Sequence, residues 1–136
     1  MASGSSWSSQ PSSNIYYAAY GRLNTNKSPS LSCTSSDIIA EPVGLITADE
    51  VAFAGGVYGQ SNSSYYLHNN QVYWTMSSFS FNATSRVAVV FYVNSYGGLA
   101  DWNVVNAGGV RPVINLKADT KFQGNGTVDS PFEIAA

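Results

Sequence analysis

The sequence predicts a small α+β domain with one or two short helices and many short, mainly antiparallel strands. A well-marked helix begins after Thr47 and ends at the glycine pair Gly55-Gly56. Most of the chain after it consists of short runs rich in β-branched and aromatic residues, separated by turns rich in Asn, Gly and Ser. The length of 136 residues suits one domain with its own core. A mostly β domain is the alternative that the same pattern leaves open.

The N-terminal part divides into an arm and the start of the domain. Residues 1–13 are rich in serine and are expected to form a flexible arm, so that residues 14–136 make up the single domain. Residues 14–23 carry several aromatic side chains, and their spacing fits a strand or a short helix equally well. Cys33 is the only cysteine, which excludes an intrachain disulfide, and it is expected to be a small buried residue.

The best local signal lies just before the middle of the chain. The apolar run Val43–Ile46 is expected to be a buried strand. Thr47 and Glu50 have the spacing of a capping box, in which each side chain accepts a hydrogen bond from the backbone amide of the other residue. Gly55 accepts the left-handed backbone that ends such a helix. The resulting helix has about two turns, so it depends on packing rather than on helix propensity.

The remaining elements are strands and turns. In Val87–Val93 the alternation predicts that Val89, Phe91 and Val93 face the core and that Tyr92 faces outward. A Gly-rich turn at residues 124–126 precedes a short closing strand. The strand candidates are Tyr65–Leu67, Val72–Met76, Val87–Val93, the region around Leu99, and Val110–Leu116, with turns at Ser61–Ser64, His68–Gln71, Ser95–Gly98 and Ala107–Gly109.

Charge and hydropathy exclude several classes of function. Only 10% of the residues are charged and the net charge is −2, with six Lys and Arg in total and no basic cluster. A nucleic-acid partner is therefore not expected. No apolar run approaches the length of about 18–20 residues that a membrane span needs. The first residues do not fit the pattern of a secretory signal, so none is expected there.

The residues that usually perform catalysis or hold metals are few. His68 is the only histidine and lies in a polar segment expected to be an exposed turn, so neither a histidine pair nor a catalytic triad is indicated. Asp49 and Glu50 are explained by the helix start, and no other carboxylates suggest an acid–base pair. Asp119 and Asp129 are expected to be solvated turn residues. We therefore expect no metal, no cofactor and no enzyme activity, with a glycan-active enzyme kept as an alternative.

The segment from Tyr58 to Asn106 has the composition of a recognition surface. It carries only two formal charges but is rich in Tyr, Trp, Phe, Asn, Ser and Gly, the residues that antibodies use to bind their targets. The same residues suit sugars, whose apolar faces stack on rings and whose hydroxyls bond to amides. Some of these aromatics must form the core, for which Tyr73, Trp74 and Phe91 are expected. Because they lie in polar loops, the aromatics expected on the surface are Phe79, Phe81, Tyr96 and Trp102.

Four segments together resemble a family of bacterial surface domains that is frequent in gut Firmicutes. They are PVGLITADEVAFAGG (42–56), YYLHNNQVYWTMS (65–77), GGVRPVINLKAD (108–119) and GNGTVDSPFEI (124–134). The arrangement is similar in turn to C-type-lectin-like domains. That group includes relatives of the formylglycine-generating enzyme and the variable proteins of diversity-generating retroelements.

The resemblance implies a C-type-lectin-like fold in which the Gly-Val-Arg strand is central and buried and Arg111 makes structural hydrogen bonds. It also implies that residues 77–107 supply an outward ligand face, with Phe79, Tyr92, Tyr96 and Trp102 as its anchors. The residues expected to contact a ligand are Ser78, Phe79, Phe81, Asn82, Arg86, Tyr92, Asn94, Tyr96, Trp102, Asn103 and Asn106.

Two differences from this group limit the functions that the resemblance implies. The calcium-dependent sugar motifs are missing, since Glu41-Pro42-Val43 precedes the helix and Asp101-Trp102-Asn103 has a different order. The two catalytic cysteines of formylglycine generation are absent as well. The expected function is that of a non-enzymatic ligand-binding domain of a cell-surface or secreted bacterial or phage protein, whose partner is a protein or a glycan. A retroelement variable protein is one form of this expectation, and a pilin or adhesin-stalk subunit is its alternative.

Overall fold

The computed structural model describes residues 12–32, 41–127 and 129–135, so most of the predicted arm and Cys33 lie outside the described residues. The helical segments are α1 (Ala18–Tyr20), a π-helical turn (Gly21–Thr25) and α2 (Ala48–Ala54). The strands are β1 (Ile15–Tyr16), β2 (Val43–Leu45), β3 (Tyr73–Asn82), β4 (Val87–Val93), β5 (Leu99–Asn103), β6 (Pro112–Ile114), β7 (Phe122–Gln123) and β8 (Glu133–Ile134). All strand pairs are antiparallel, and the mixture of short helices and strands confirms the α+β class.

Helix α2 begins and ends as its sequence predicts. Thr47 Oγ1 accepts a hydrogen bond from the Glu50 amide at 3.1 Å, and Glu50 Oε2 accepts one from the Thr47 amide at 2.7 Å. Gly55 ends the helix with φ of 121°, a backbone that favours glycine. Ala48 and Val51 are fully buried, so packing against the sheet holds this two-turn helix.

The main sheet has the strand order β1-β3-β4-β5. Strand β4 has the predicted bounds and alternation, with Val89, Phe91 and Val93 buried. Strand β3 is longer than predicted because it continues through the serine-rich segment 77–82, which pairs with β4. Two register shifts, before and after Ser78, interrupt this pairing and hide its period from the sequence.

The core lies on one side of this sheet. The rings of Phe79 and Phe91 meet at 5.0 Å, and Tyr73, Val93 and Leu99 complete the buried layer from neighbouring strands. Helices α1 and α2 cover this layer with side chains that include Ala19 and Val51. We call this side of the sheet the inner face.

Two predictions about the strands are wrong. Tyr65–Leu67 forms bends and turns rather than a strand. The Gly-Val-Arg segment is not a central buried strand, because β6 pairs only with β2 among the described strands and Val110 is 70% exposed. Pro112 has no amide hydrogen to donate, which suits a small two-stranded sheet better than the middle of a large one.

The C-terminal region forms the predicted turn and closing strand. β7 and β8 pair with each other, and Gly124 and Gly126 both have positive φ in the turn region between them. Among the described residues, no helix has the length and apolar character needed to cross a membrane.

Candidate ligand-binding face

The side of the main sheet opposite the core is built entirely from uncharged residues. Directly paired residues of antiparallel strands project to the same side, so the register identifies the members of this side. We call it the outer face. It consists of Ile15, Trp74, Ser78, Phe81, Ala88, Val90, Tyr92, Ala100 and Trp102.

Three large aromatic side chains meet on the outer face. The ring centroids of Trp74 and Trp102 are 5.7 Å apart, those of Tyr92 and Trp102 are 5.2 Å apart, and those of Trp74 and Tyr92 are 6.1 Å apart. All three side chains are half-buried. Trp74, Tyr92 and Trp102 form what we call the aromatic cluster, a contiguous apolar surface supplied by three adjacent strands.

Gly108, in the loop after β5, lies against the Trp74 ring of this cluster. A Cβ atom on Gly108 would lie 2.7 Å from Nε1 of Trp74 and 2.9 Å from its Cε2, closer than any side chain allows. The Trp74 ring can therefore occupy this position only because residue 108 has no side chain. The Trp74 amide also donates to the carbonyl of Gly109 at 3.0 Å, which fixes this loop to the start of β3.

Trp74 is the residue that sequence reasoning assigned wrongly to the core. Its neighbour Tyr73 is only 2% exposed on the inner face, so Trp74, one residue further along the strand, must project outward. The period of two could have separated these adjacent aromatics, because a sheet with one buried side cannot bury both of them.

Four of the predicted contact residues lie on the outer face: Ser78, Phe81, Tyr92 and Trp102. Phe79 does not, and the prediction that it anchors a ligand is wrong. It is 7% exposed, and its ring packs against Phe91, Tyr20 and Tyr58 at centroid distances of 5.0, 5.0 and 5.7 Å. The segment around it is a strand and not a loop, and Phe79 faces the core at the register shift between Ser78 and Ser80.

Four others lie in the two turns at opposite ends of β4. Asn82 accepts hydrogen bonds from the amides of Thr84 and Ser85, and Arg86 is exposed with φ of 57° in the same turn. At the other end Asn94 accepts from the amides of Tyr96 and Gly98. The oxygens of both asparagine side chains thus stabilise their turns. The remaining member of this group, Tyr96, is 69% exposed in the second turn and does not lie on the outer face.

The last two predicted contact residues lie where β5 ends. Asn103 pairs with Val89, whose side chain faces the core, and its own side chain is exposed at the edge of the sheet. Its carbonyl accepts from both the amide and the side-chain nitrogen of Asn106, at 3.0 and 3.1 Å. These two asparagines shape the turn that leads to Gly108 and are not part of the aromatic cluster.

A cleft of about 650 Å³ opens at the end of the sheet next to the aromatic cluster. We call it the end cleft. Its lining residues are Asn69, Asn70, Gln71, Val72, Tyr73, Ser95, Ala107, Gly108, Gly109, Val110 and Arg111. Gly108 touches Trp74 and also lines the cleft, so the two features adjoin.

Arg111 and His68 hold the walls of the end cleft in place. As expected, Arg111 makes a structural hydrogen bond, which Nη1 donates to the Leu67 carbonyl, and its guanidinium lies 5.1 Å from the centre of the Tyr73 ring. His68 lies in the predicted turn but is half-buried rather than exposed, because its Nε2 lies 3.1 Å from the carbonyl oxygen of Ser95 in the turn after β4.

Several carboxylates of the described residues already have partners within the protein. Asp49 binds the Arg22 guanidinium, and Glu50 completes the helix cap. Asp101 accepts from the Tyr58 hydroxyl at 2.5 Å. Burial of the ring, together with this hydrogen bond, raises the pKa of Tyr58 above its usual range. No group of three or more His, Cys, Asp or Glu within the described part of the chain could hold a metal ion.

Comparisons with protein-family models, with curated proteins and with solved structures found no match for the chain.

Proposed function

We propose that this chain is a non-enzymatic ligand-binding domain of a cell-surface or secreted bacterial or phage protein, and that its ligand rests on the aromatic cluster. The observation that carries this proposal is the meeting of Trp74, Tyr92 and Trp102 on a sheet face that has no formal charge and lies opposite the core. The core is complete without them, because Tyr73, Phe79 and others fill the inner face.

The chemistry of the outer face suits a ligand with apolar surface and neutral polar groups. Large aromatic side chains contribute about 150–250 Å² of contact area each and lose little conformational entropy on binding. Surfaces of this kind usually draw most of their affinity from two or three such anchors. A glycan or a protein both fit this description.

The proposal includes a C-type-lectin-like fold, supported by the order of its elements: a capped helix, an antiparallel sheet, and then the segment around Arg111. In a retroelement variable protein, the positions open to change on this face would include Ser78 and Tyr92. Trp102 would be a fixed anchor, because adenine-directed change of an AAY codon, which encodes asparagine, does not yield the tryptophan codon.

A pilin or adhesin-stalk subunit is the second candidate. The observation that favours it is the exposed apolar side chains of the two small sheets, where Val43 pairs with Ile114 and Phe122 pairs with Ile134. Subunit contacts would cover these side chains. Sedimentation velocity over a wide range of protein concentration tests this function: reversible association supports it, and a strict monomer at the highest concentration contradicts it.

The binding proposal is tested with Trp102→Ala and the matched control Phe53→Ala, an exposed aromatic on helix α2. Both variants and the wild type are applied to an array of neutral and acidic oligosaccharides and to a displayed peptide library. We expect Trp102→Ala to lose the wild-type signal and Phe53→Ala to keep it.

Folding must be measured beside binding, because Trp102 also contacts Trp74 and Tyr92. Loss of these aromatic contacts is expected to reduce the free energy of unfolding by about 1–3 kcal/mol. Binding that survives in a folded Trp102→Ala protein would contradict the proposal.

A further inference from the structure

We propose that the end cleft binds the carboxylate of an acidic sugar, and that the rest of the glycan extends from the cleft onto the aromatic cluster. This inference rests on the proposed binding function and names the class of ligand. It is carried by the juxtaposition of three features: an arginine whose charge no described carboxylate pairs, a set of exposed amides, and an adjoining aromatic surface.

Arg111 supplies the charge. It is the only charged residue that lines the end cleft, and it is half-buried. One of its nitrogens donates to the Leu67 carbonyl, and the Tyr73 ring supports the guanidinium, so the group is held in one position. The ion pair found within residues 12–32, 41–127 and 129–135 joins Arg22 and Asp49, and no described carboxylate pairs with Arg111. A fixed guanidinium with remaining donors suits an incoming carboxylate, which it can bind through two parallel hydrogen bonds.

Neutral polar groups surround this charge. Asn69, Asn70 and Gln71 line one side of the end cleft, and Ser95 lies in the turn after β4. Asn69 already accepts from the Gln71 amide at 3.1 Å, whereas the exposed side chains of Asn70 and Gln71 make no hydrogen bond to described residues. Side-chain amides both donate and accept, which matches the paired donor and acceptor character of sugar hydroxyls.

The wall between the end cleft and the aromatic cluster has no side chains where it is closest to Trp74. Gly108 and Gly109 form that wall, and a Cβ on Gly108 would overlap the Trp74 ring. A sugar bound at Arg111 can therefore continue toward Trp74 without a side chain in its way. Its ring faces would stack on indole and phenol rings, as sugar faces do on aromatic surfaces.

An acidic sugar uses the charge, the amides and the aromatic surface at once. A neutral sugar offers Arg111 no anionic partner, so it lacks the stronger charge-assisted hydrogen bonds that a carboxylate makes. A peptide with a free C-terminal carboxylate could pair with Arg111 but offers few hydroxyls to the amides. The experiment below distinguishes these ligands.

The test uses isothermal titration calorimetry with trigalacturonate and with its fully methyl-esterified form, which has the same sugar rings but no negative charge. Sialyllactose and its methyl ester form a second pair. The wild type should bind at least one acidic sugar roughly tenfold more tightly than its neutral counterpart, as expected for one charge-assisted contact. Arg111→Gln should remove this preference, because it should lower the affinity for the acidic form far more than the affinity for the neutral form. Arg86→Gln, an exposed arginine in the turn at the other end of β4, is the matched control and should keep the preference.

A second variant covers the case in which Arg111→Gln disturbs the Leu67 contact and the fold. Asn70 has a φ of 59°, which aspartate also tolerates. Asn70→Asp places a negative charge in the end cleft and keeps the shape of the side chain. It should weaken binding of the acidic sugar several-fold more than binding of the neutral one, and the difference should shrink in high salt.

The outcomes separate this inference from the proposed function. If sugars bind in a way that Trp102→Ala abolishes but the acidic and neutral forms bind equally, the end-cleft inference is overturned and the aromatic cluster remains the binding surface. Equal affinities of wild type and Asn70→Asp for the acidic sugar would also overturn it. If no sugar of either pair binds but peptides with a free C-terminus do, the acidic-sugar assignment is wrong.

Discussion

Asp49 shows how a single residue can join two distant parts of the chain. The sequence explains its negative charge by the start of helix α2. In the structure the carboxylate is 4% exposed and accepts from Nε and Nη2 of Arg22 at 2.9 and 2.7 Å, and from the Ser30 amide at 2.9 Å. Burial alone would raise the pKa of Asp49, but the hydrogen bonds from Arg22 and Ser30 outweigh it and hold the pKa below its usual range. The N-terminal helical turn is thereby bound to α2.

Asp49→Asn is expected to reduce the free energy of unfolding by roughly 2–4 kcal/mol, because the Arg22 guanidinium loses its charged partner. The guanidinium is about one-third exposed to water, and this exposure limits the loss. The wild type should lose stability as the pH falls from about 5 through the lowered pKa of Asp49, since the unfolded state then binds the proton more tightly. Urea unfolding between pH 7 and pH 3 measures both effects.

The control for this prediction is Asp119→Asn, which changes an exposed carboxylate. That variant should show the wild-type dependence of stability on pH, whereas Asp49→Asn should show a weaker one. An equal dependence in all three proteins would mean that the Arg22 contact contributes little to folding.

At the scale of elements, the sequence is most informative where one local rule decides the structure. The capping box of Thr47 and Glu50 and the apolar alternation of Val87–Val93 both depend on residues within a few positions, and both predictions are confirmed. No such local rule decides the structure of the serine-rich half of β3. Its strand character comes from pairing with β4, and the register shifts around Ser78 break the period that would have revealed it.

Gly108→Ala tests how the loop after β5 positions the aromatic cluster. The new Cβ would overlap the Trp74 ring, so the ring or the loop must move. We expect a free energy of unfolding lower by about 1–3 kcal/mol, a changed near-ultraviolet circular dichroism spectrum, and weaker ligand binding. Gly44→Ala is the matched control, because a Cβ at residue 44 meets no atom within 4 Å. A Gly108→Ala protein with the wild-type spectrum would show that the loop does not set the Trp74 position.

At the scale of the whole molecule, the aromatic and amide composition predicted a recognition surface but not its location. Tyr73 and Trp74 are adjacent and similar, yet one is buried in the core and the other joins the cluster. Phe79 and Trp102 were expected to act together, but Phe79 is buried in the core and Trp102 lies on the outer face. Which face a residue occupies depends on pairing across strands, so the members of the site could be predicted from the sequence only in part.

The end cleft, too, forms only where segments that are distant in the sequence come together. Its walls come from the segment before β3, the turn after β4 and the loop after β5. Asn70 and Arg111 are 41 positions apart in the sequence (111 minus 70), and no local pattern connects them. The antiparallel order brings the start of β3 and the end of β4 to the same end of the sheet. The loop after β5 leaves from the opposite end and returns to the start of β3, where Gly109 bridges to Tyr73.

The most direct test of the account is a nuclear magnetic resonance titration of the labelled protein with the strongest binder from the oligosaccharide and peptide screen. We expect saturable shifts of the indole N–H signals of Trp74 and Trp102, while the backbone amide signals of helix α2 stay in place. Saturable shifts confined to other parts of the protein, with both indole signals unchanged, would contradict the claim that the outer face binds the ligand.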